Sequence, residues 1–116
     1  VNIEDLTLKQ IREISALVGG QKMHTDSPYI TALIGKNVIV RTVTMIYTGK
    51  LLEVTPTDFV LVDCSWIPET DRFAQFVANG SVRECEPYPE GLPVAISRGA
   101  YLDMCELKKD LPRRQK

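Results

Sequence analysis

Asn37 to Trp66 reads NVIVRTVTMIYTGKLLEVTPTDFVLVDCSW, and its chemistry decides the fold. Valine, isoleucine, threonine and tyrosine crowd this stretch, and such side chains suit a pleated, half-buried surface. Gly49 interrupts the run where a side chain would obstruct tight coiling of a sheet, so it marks a bulge or strong bend. Thr55 to Asp58, TPTD, is a turn: proline presets φ at its second position and aspartate can bond the local backbone. The stretch therefore supplies two or three strands, with FVLVDCSW following the turn.

Upstream, DLTLKQIREISALVGG (5–20) has Leu8, Ile11, Ile14, Leu17 and Val18 at three- and four-residue spacing. That spacing predicts an amphipathic N-terminal helix within residues 1–20, capped by Asp5 or Thr7 and stopped by Gly19-Gly20. QKMHTDSPYITALIGK then reads as a connector. His24, the single histidine, sits there without a cysteine or second histidine nearby and reads as a solvated loop residue.

Downstream, residues 67–93 form an insertion. Its first part predicts a short helix, with Thr70 or Asp71 as cap, Phe73, Phe76 and Val77 as the apolar side and Asn79-Gly80 as the stop. ECEPYPEGLP (84–93), with three prolines and a glycine, reads as a loop. VAISRGAYLDMCEL (94–107) gives two further strands around Ser97-Arg98-Gly99. The basic tail, 108–116, reads as frayed. Five short, strongly bent strands after a helix predict a mainly β single domain over 1–116. Its form is a small five-stranded barrel, with the helical insertion before the last two strands.

Bulk properties narrow the function. A 116-residue chain of net charge −1 has no global field to steer it to nucleic acid, so any such site must be a local patch. Cys64, Cys85 and Cys105 are odd in number and widely spaced, which implies neither a zinc site nor a disulfide framework. A reducing, cytoplasmic setting follows, and the absence of a membrane-length apolar run or a signal-peptide layout excludes a membrane partner at this level. No serine has a histidine at triad spacing, and carboxylates flank Cys85, which opposes a thiolate. No glycine-rich phosphate loop or metal-ligand spacing occurs. The expectation is a non-enzymatic protein with no catalytic residues, cofactor or metal.

The alternating apolar residues, Gly49, Leu51 and the apolar strand after the turn, followed by Arg98-Gly99 before a last strand, resemble the two motifs of the Sm and Sm-like (LSm) family. The likeness covers residues 5–66 and 93–107. It implies an SH3-like barrel that assembles as a homo-oligomeric ring of five to eight subunits, neighbours pairing through edge strands. It places Ser97-Arg98-Gly99 in the tight connection between the last two strands, with glycine permitting the turn and the arginine facing a pore. By the same likeness, single-stranded RNA or a nucleotide would bind at the pore or between subunits. Arg98 and Phe59 would stack on bases beside Gly99 and Asp58, and Arg41 or Lys50 would neutralise phosphate. Counting from Gly49, the family's turn aspartate falls on Thr55 and its Met-Asn pair on Asp58-Phe59, so the family's amide reader has no counterpart. An alternative expectation is therefore a structural ring module, virus- or mobile-element-encoded, that binds no RNA. In that reading Arg98 pairs with Asp103, Asp58 or a neighbour's carboxylate, Arg41 and Lys50 are solvated edge residues, and Trp66 anchors the core or a subunit contact.

Overall fold

A computed structural model describes residues 27–116, so the helix expected within residues 1–20 lies outside the described residues, as does His24. The chain divides after Thr31. Before the division stands α1 (Pro28–Thr31), one turn in which Ser27 accepts from the Tyr29 and Thr31 amides. The unit after it carries six strands and one helix: β1 (Asn37–Thr42), β2 (Ile46–Val54), β3 (Asp58–Thr70), α2 (Phe73–Asn79), β4 (Val82–Pro87), β5 (Val94–Ser97) and β6 (Tyr101–Glu106). It is mainly β, and every strand pairing is antiparallel. Among the described residues no helix is long and apolar enough to cross a membrane.

The sheet runs β4-β3-β2-β1-β6, and β5 pairs separately with β3. Two partners share the 13-residue β3. Its first half, Asp58 to Leu61, pairs with β5, and its second half, Ser65 to Thr70, pairs with β4. The path β5-β3-β2-β1-β6 thus returns to its start through the short Ser97–Ala100 connection.

Two register shifts bend β2 against β3. At the first, Thr48 pairs with Ser65 and Lys50 with Val62, so Asp63 and Cys64 together stand opposite Gly49. The extra residue is on β3, and Asp63 takes the left-handed conformation at φ 52, which aspartate tolerates better than most residues. Gly49 is needed for a different reason: a Cβ there would lie 3.0 Å from Leu61 Cβ and 3.2 Å from the Val62 carbonyl. It is the point where two strands close on each other, as a bend requires.

Strand register sorts the side chains onto two faces. Val38, Val40, Gly49, Leu51, Leu61, Phe59 and Ile96 share the first and are buried. Ile39, Thr48 and Ser65 share the second, where Ile39 packs with Ile67, Phe76, Val82, Cys85 and Leu107. Both faces of the central strands are therefore covered, the second by α2, β4 and the residues after β6.

Several sequence expectations change here, beginning with the strand count: six strands form where five were expected, because part of the insertion pairs with β3 as β4. Residues 84–93 were expected as a loop, yet Val82–Pro87 is a strand. Glutamate and proline have poor strand propensity, but β3 continues to Thr70 and offers a free edge, and backbone pairing outweighs propensity. Pro68 fits within β3 because it falls in the register shift between Trp66 and Glu69, where the ladder is already broken. The tail expected to fray is docked. Lys116 and Cys85 exchange backbone hydrogen bonds, Ser65 Oγ donates to the Pro112 carbonyl at 2.7 Å, and Leu107 is buried. α2 behaves as expected, with Gly80 at φ 76 returning its N–H to the Phe76 carbonyl. Its N-cap is Arg72 rather than Thr70 or Asp71, although the Asp71 carboxylate accepts from the Arg72 amide at 2.9 Å.

Candidate functional site

Four of the six expected site residues meet where the β2–β3 and β5–β6 turns touch. In the first turn the Thr55 hydroxyl accepts from the Asp58 amide at 2.8 Å and the Thr57 amide at 3.3 Å, and Thr57 Oγ1 donates to Asp58 Oδ2 at 2.8 Å. In the second, Ser97 Oγ accepts from the Gly99 amide at 3.2 Å and the Ala100 amide reaches the Ser97 carbonyl. Hydroxyls local to each turn thus stand in for ladder bonds. The Asp58–Ser97 register pair joins the turns, and the Arg98 amide donates to the Thr57 carbonyl at 3.0 Å.

Arg98 locks this junction with its side chain. Nη1 donates to the Thr55 carbonyl at 2.8 Å, and the guanidinium carbon stands 5.2 Å from the Phe59 ring centroid. The Phe59 ring in turn meets Tyr101 edge-on, centroids 4.8 Å apart. Only 1% of Phe59 is exposed, so in this chain its ring is core and offers no open face for a base. Gly99 also differs from expectation: its φ is not positive, and an added Cβ would meet nothing closer than Ser97 Oγ at 3.5 Å. The Ser97 hydroxyl shapes this turn without needing a glycine.

Arg41 and Lys50 lie apart from these turns. Arg41 grips Asp103 on the neighbouring strand with a two-pronged contact, Nε to Oδ1 at 2.8 Å and Nη2 to Oδ2, while its guanidinium stacks 4.6 Å from the Phe73 ring centroid. The shared hydrogen bonds raise the arginine's pKa and hold the Asp103 carboxyl below its ordinary value. Asp103, a candidate partner for Arg98, is thus engaged by Arg41. Lys50 is exposed on β2, in register with Asn37 and Val62.

Burial pushes the Cys64 thiol up to about 12, against a smaller opposing effect of Arg113, and burial followed by Asp103 raises Cys105. Among the described residues no group of three histidine, cysteine, aspartate or glutamate side chains is placed to hold a metal ion.

Arg113, a residue the sequence reading left in a solvated tail, is a central anchor. Nη1 donates to the Cys64 carbonyl at 2.6 Å and to Ser65 Oγ at 3.3 Å, and Nη2 to the Tyr88 carbonyl at 2.6 Å. These acceptors sit beside the Asp63 bulge, where the Tyr88 amide also donates to the Cys64 carbonyl at 2.8 Å. The signal available beforehand was Leu107 and Leu111, four apart and followed by Pro112-Arg113, an apolar spacing at odds with a free tail. Comparison of the chain with protein-family models, with curated proteins and with solved structures gives no match.

Proposed function

We propose that this chain is a non-enzymatic, Sm-like small-barrel protein that assembles into a homo-oligomeric ring and serves as a structural module. The supporting observation is the strand path β5-β3-β2-β1-β6, linked at its ends by Ser97–Ala100, in which β5 pairs only with β3 and β6 only with β1. Each end strand keeps one edge of backbone donors and acceptors to offer a neighbour, and closed symmetry satisfies such edges. Engagement of Arg98, Phe59 and Arg41 inside the fold favours the structural reading over a base-binding one. Light scattering on the purified full chain tests it. The expected mass is five to eight times the 13.0 kDa of one chain, and a mass of one chain at all concentrations overturns the proposal.

Binding of single-stranded RNA or a nucleotide is the second reading, favoured by the convergence of Arg98, Gly99, Asp58 and Phe59 at one pair of turns. It requires the Arg98 guanidinium to leave the Thr55 carbonyl for the ligand. Retention of oligouridylate at low salt, lost in Arg98→Ala, is its signature. Equal retention by both proteins, or none, removes it.

A further inference from the structure

Trp66 is the chain's single tryptophan; of the two anchoring roles expected for it, core or subunit contact, the structure speaks against the core, since 37% of it is exposed. In register it faces Tyr47 on β2 and Glu86 on β4. The Tyr47 hydroxyl donates to Met45 Sδ at 3.0 Å, and Met45 is 41% exposed. Met45, Tyr47 and Trp66 therefore form an apolar and aromatic row across β2 and β3. Carboxylates border it. The next register position along the β3–β4 ribbon sets Glu69 directly opposite Glu84, and Glu84 shares a strand face with Glu86 by alternation.

Like charges directly opposed on a sheet destabilise it, and among the described residues neither carboxylate of this pair has a salt bridge within 4.0 Å. Arg83 faces Asp71 at 3.9 Å, and the Lys116 ammonium donates to the Val82 carbonyl. Gln115, a neutral donor, reaches Glu86 at 3.3 Å. An exposed indole beside a row of carboxylates has the complementarity of a surface for cations: the ring face attracts them by its quadrupole and the carboxylates by charge.

We propose that this face of the β3–β4 ribbon docks an arginine-rich segment of a partner protein, one guanidinium lying over Trp66 and others pairing with Glu69, Glu84 and Glu86. Arginine fits better than lysine because a planar guanidinium both stacks on an indole and meets a carboxylate with two donors. The proposal goes beyond ring assembly and does not depend on it.

Because Trp66 is the only tryptophan, its emission reports on this surface alone. Titrating the full chain with octa-arginine at low salt is expected to give a saturable change in emission. Affinity should fall at least tenfold in the triple variant Glu69→Gln, Glu84→Gln, Glu86→Gln, checked for folding by circular dichroism, and should fall further as salt rises. Octa-lysine should bind more weakly. Neutralising Glu53 and Glu90, acidic residues outside this ribbon, should leave affinity within twofold. An unchanged emission, equal affinity in the triple variant, or an equal loss from the Glu53 and Glu90 changes overturns the proposal. So does a concentration-dependent emission change without peptide, which assigns the surface to a second copy. Tighter binding of oligouridylate than of octa-arginine overturns it as well.

Discussion

A methyl group added at Gly49 would sit 3.0 Å from Leu61 Cβ, inside van der Waals contact and hemmed by the Val62 carbonyl. Strand backbone and a core leucine must both move, so Gly49→Ala should cost about 1–3 kcal/mol, measured by urea unfolding. Gly99→Ala should stay within about 0.5 kcal/mol in the same assay, because nothing crowds the site and its φ suits any residue. The pair separates two glycines that look equivalent in the sequence. Thr48 offers an opposite case. Its hydroxyl is fully buried with no hydrogen-bond partner among the described residues, so Thr48→Val should be neutral or stabilising by about 1 kcal/mol. Asp103 adds a pH dependence. Arg41 depresses its folded pKa, so the contribution is present above the unfolded carboxyl's pKa and disappears as pH falls through the lower, folded value. Unfolding curves across the acid range should show that component in the parent chain and lack it in Asp103→Asn.

At the scale of elements, the tail after β6 carries the clearest lesson about what the sequence could reveal. The turns at 55–58 and 97–100, the α2 stop at Gly80 and the two strands after the insertion were all legible, because glycine, proline and local hydroxyls act through neighbours in the chain. β4 and the tail were not legible, since each owes its conformation to a distant edge: β4 to the far half of β3, the tail to Cys85 and Ser65. One sign was present. Val38, Ile39 and Val40 are apolar without alternation, and all three are buried, as a strand covered on both faces requires. The site was legible in part: Arg98 with Asp58 and Phe59 met at one place, whereas the isolation of Arg41 follows from Asp103 and Phe73, which only the pairing of β1 with β6 and the packing of α2 bring near it. Arg113 should be the residue on which the tail depends. Arg113→Ala takes the donor from the Tyr88 carbonyl, while the Cys64 carbonyl keeps the Tyr88 amide and Ser65 Oγ keeps the Pro112 carbonyl, and should cost about 1–3 kcal/mol; Arg113→Lys should not restore it, because an ammonium cannot span the Cys64 and Tyr88 carbonyls as a planar fork does. Hydrogen exchange at the Cys85 amide, which is bonded to Lys116, should speed up in both variants.

Seen whole, the unit from residue 32 onward has two cores separated by one set of strands, and β3 contributes to both. Unfolding of either core should therefore pull on the other, and the thiols provide a check. Cys64 lies fully buried near the junction, with its thiol pushed up to about 12, so a thiol reagent at pH 8 should modify it only as fast as the fold opens. The logarithm of its rate should rise in Gly49→Ala in proportion to the lost stability. The outer coat of α2, β4 and tail carries one more implication. A sister molecule cannot stack flat against the strands on that side, since the insertion already wears the place such a neighbour would take. In the ring proposed above, growth is left to the flanks, and the extra residues would act as a bumper that limits how tightly its members can be curved together.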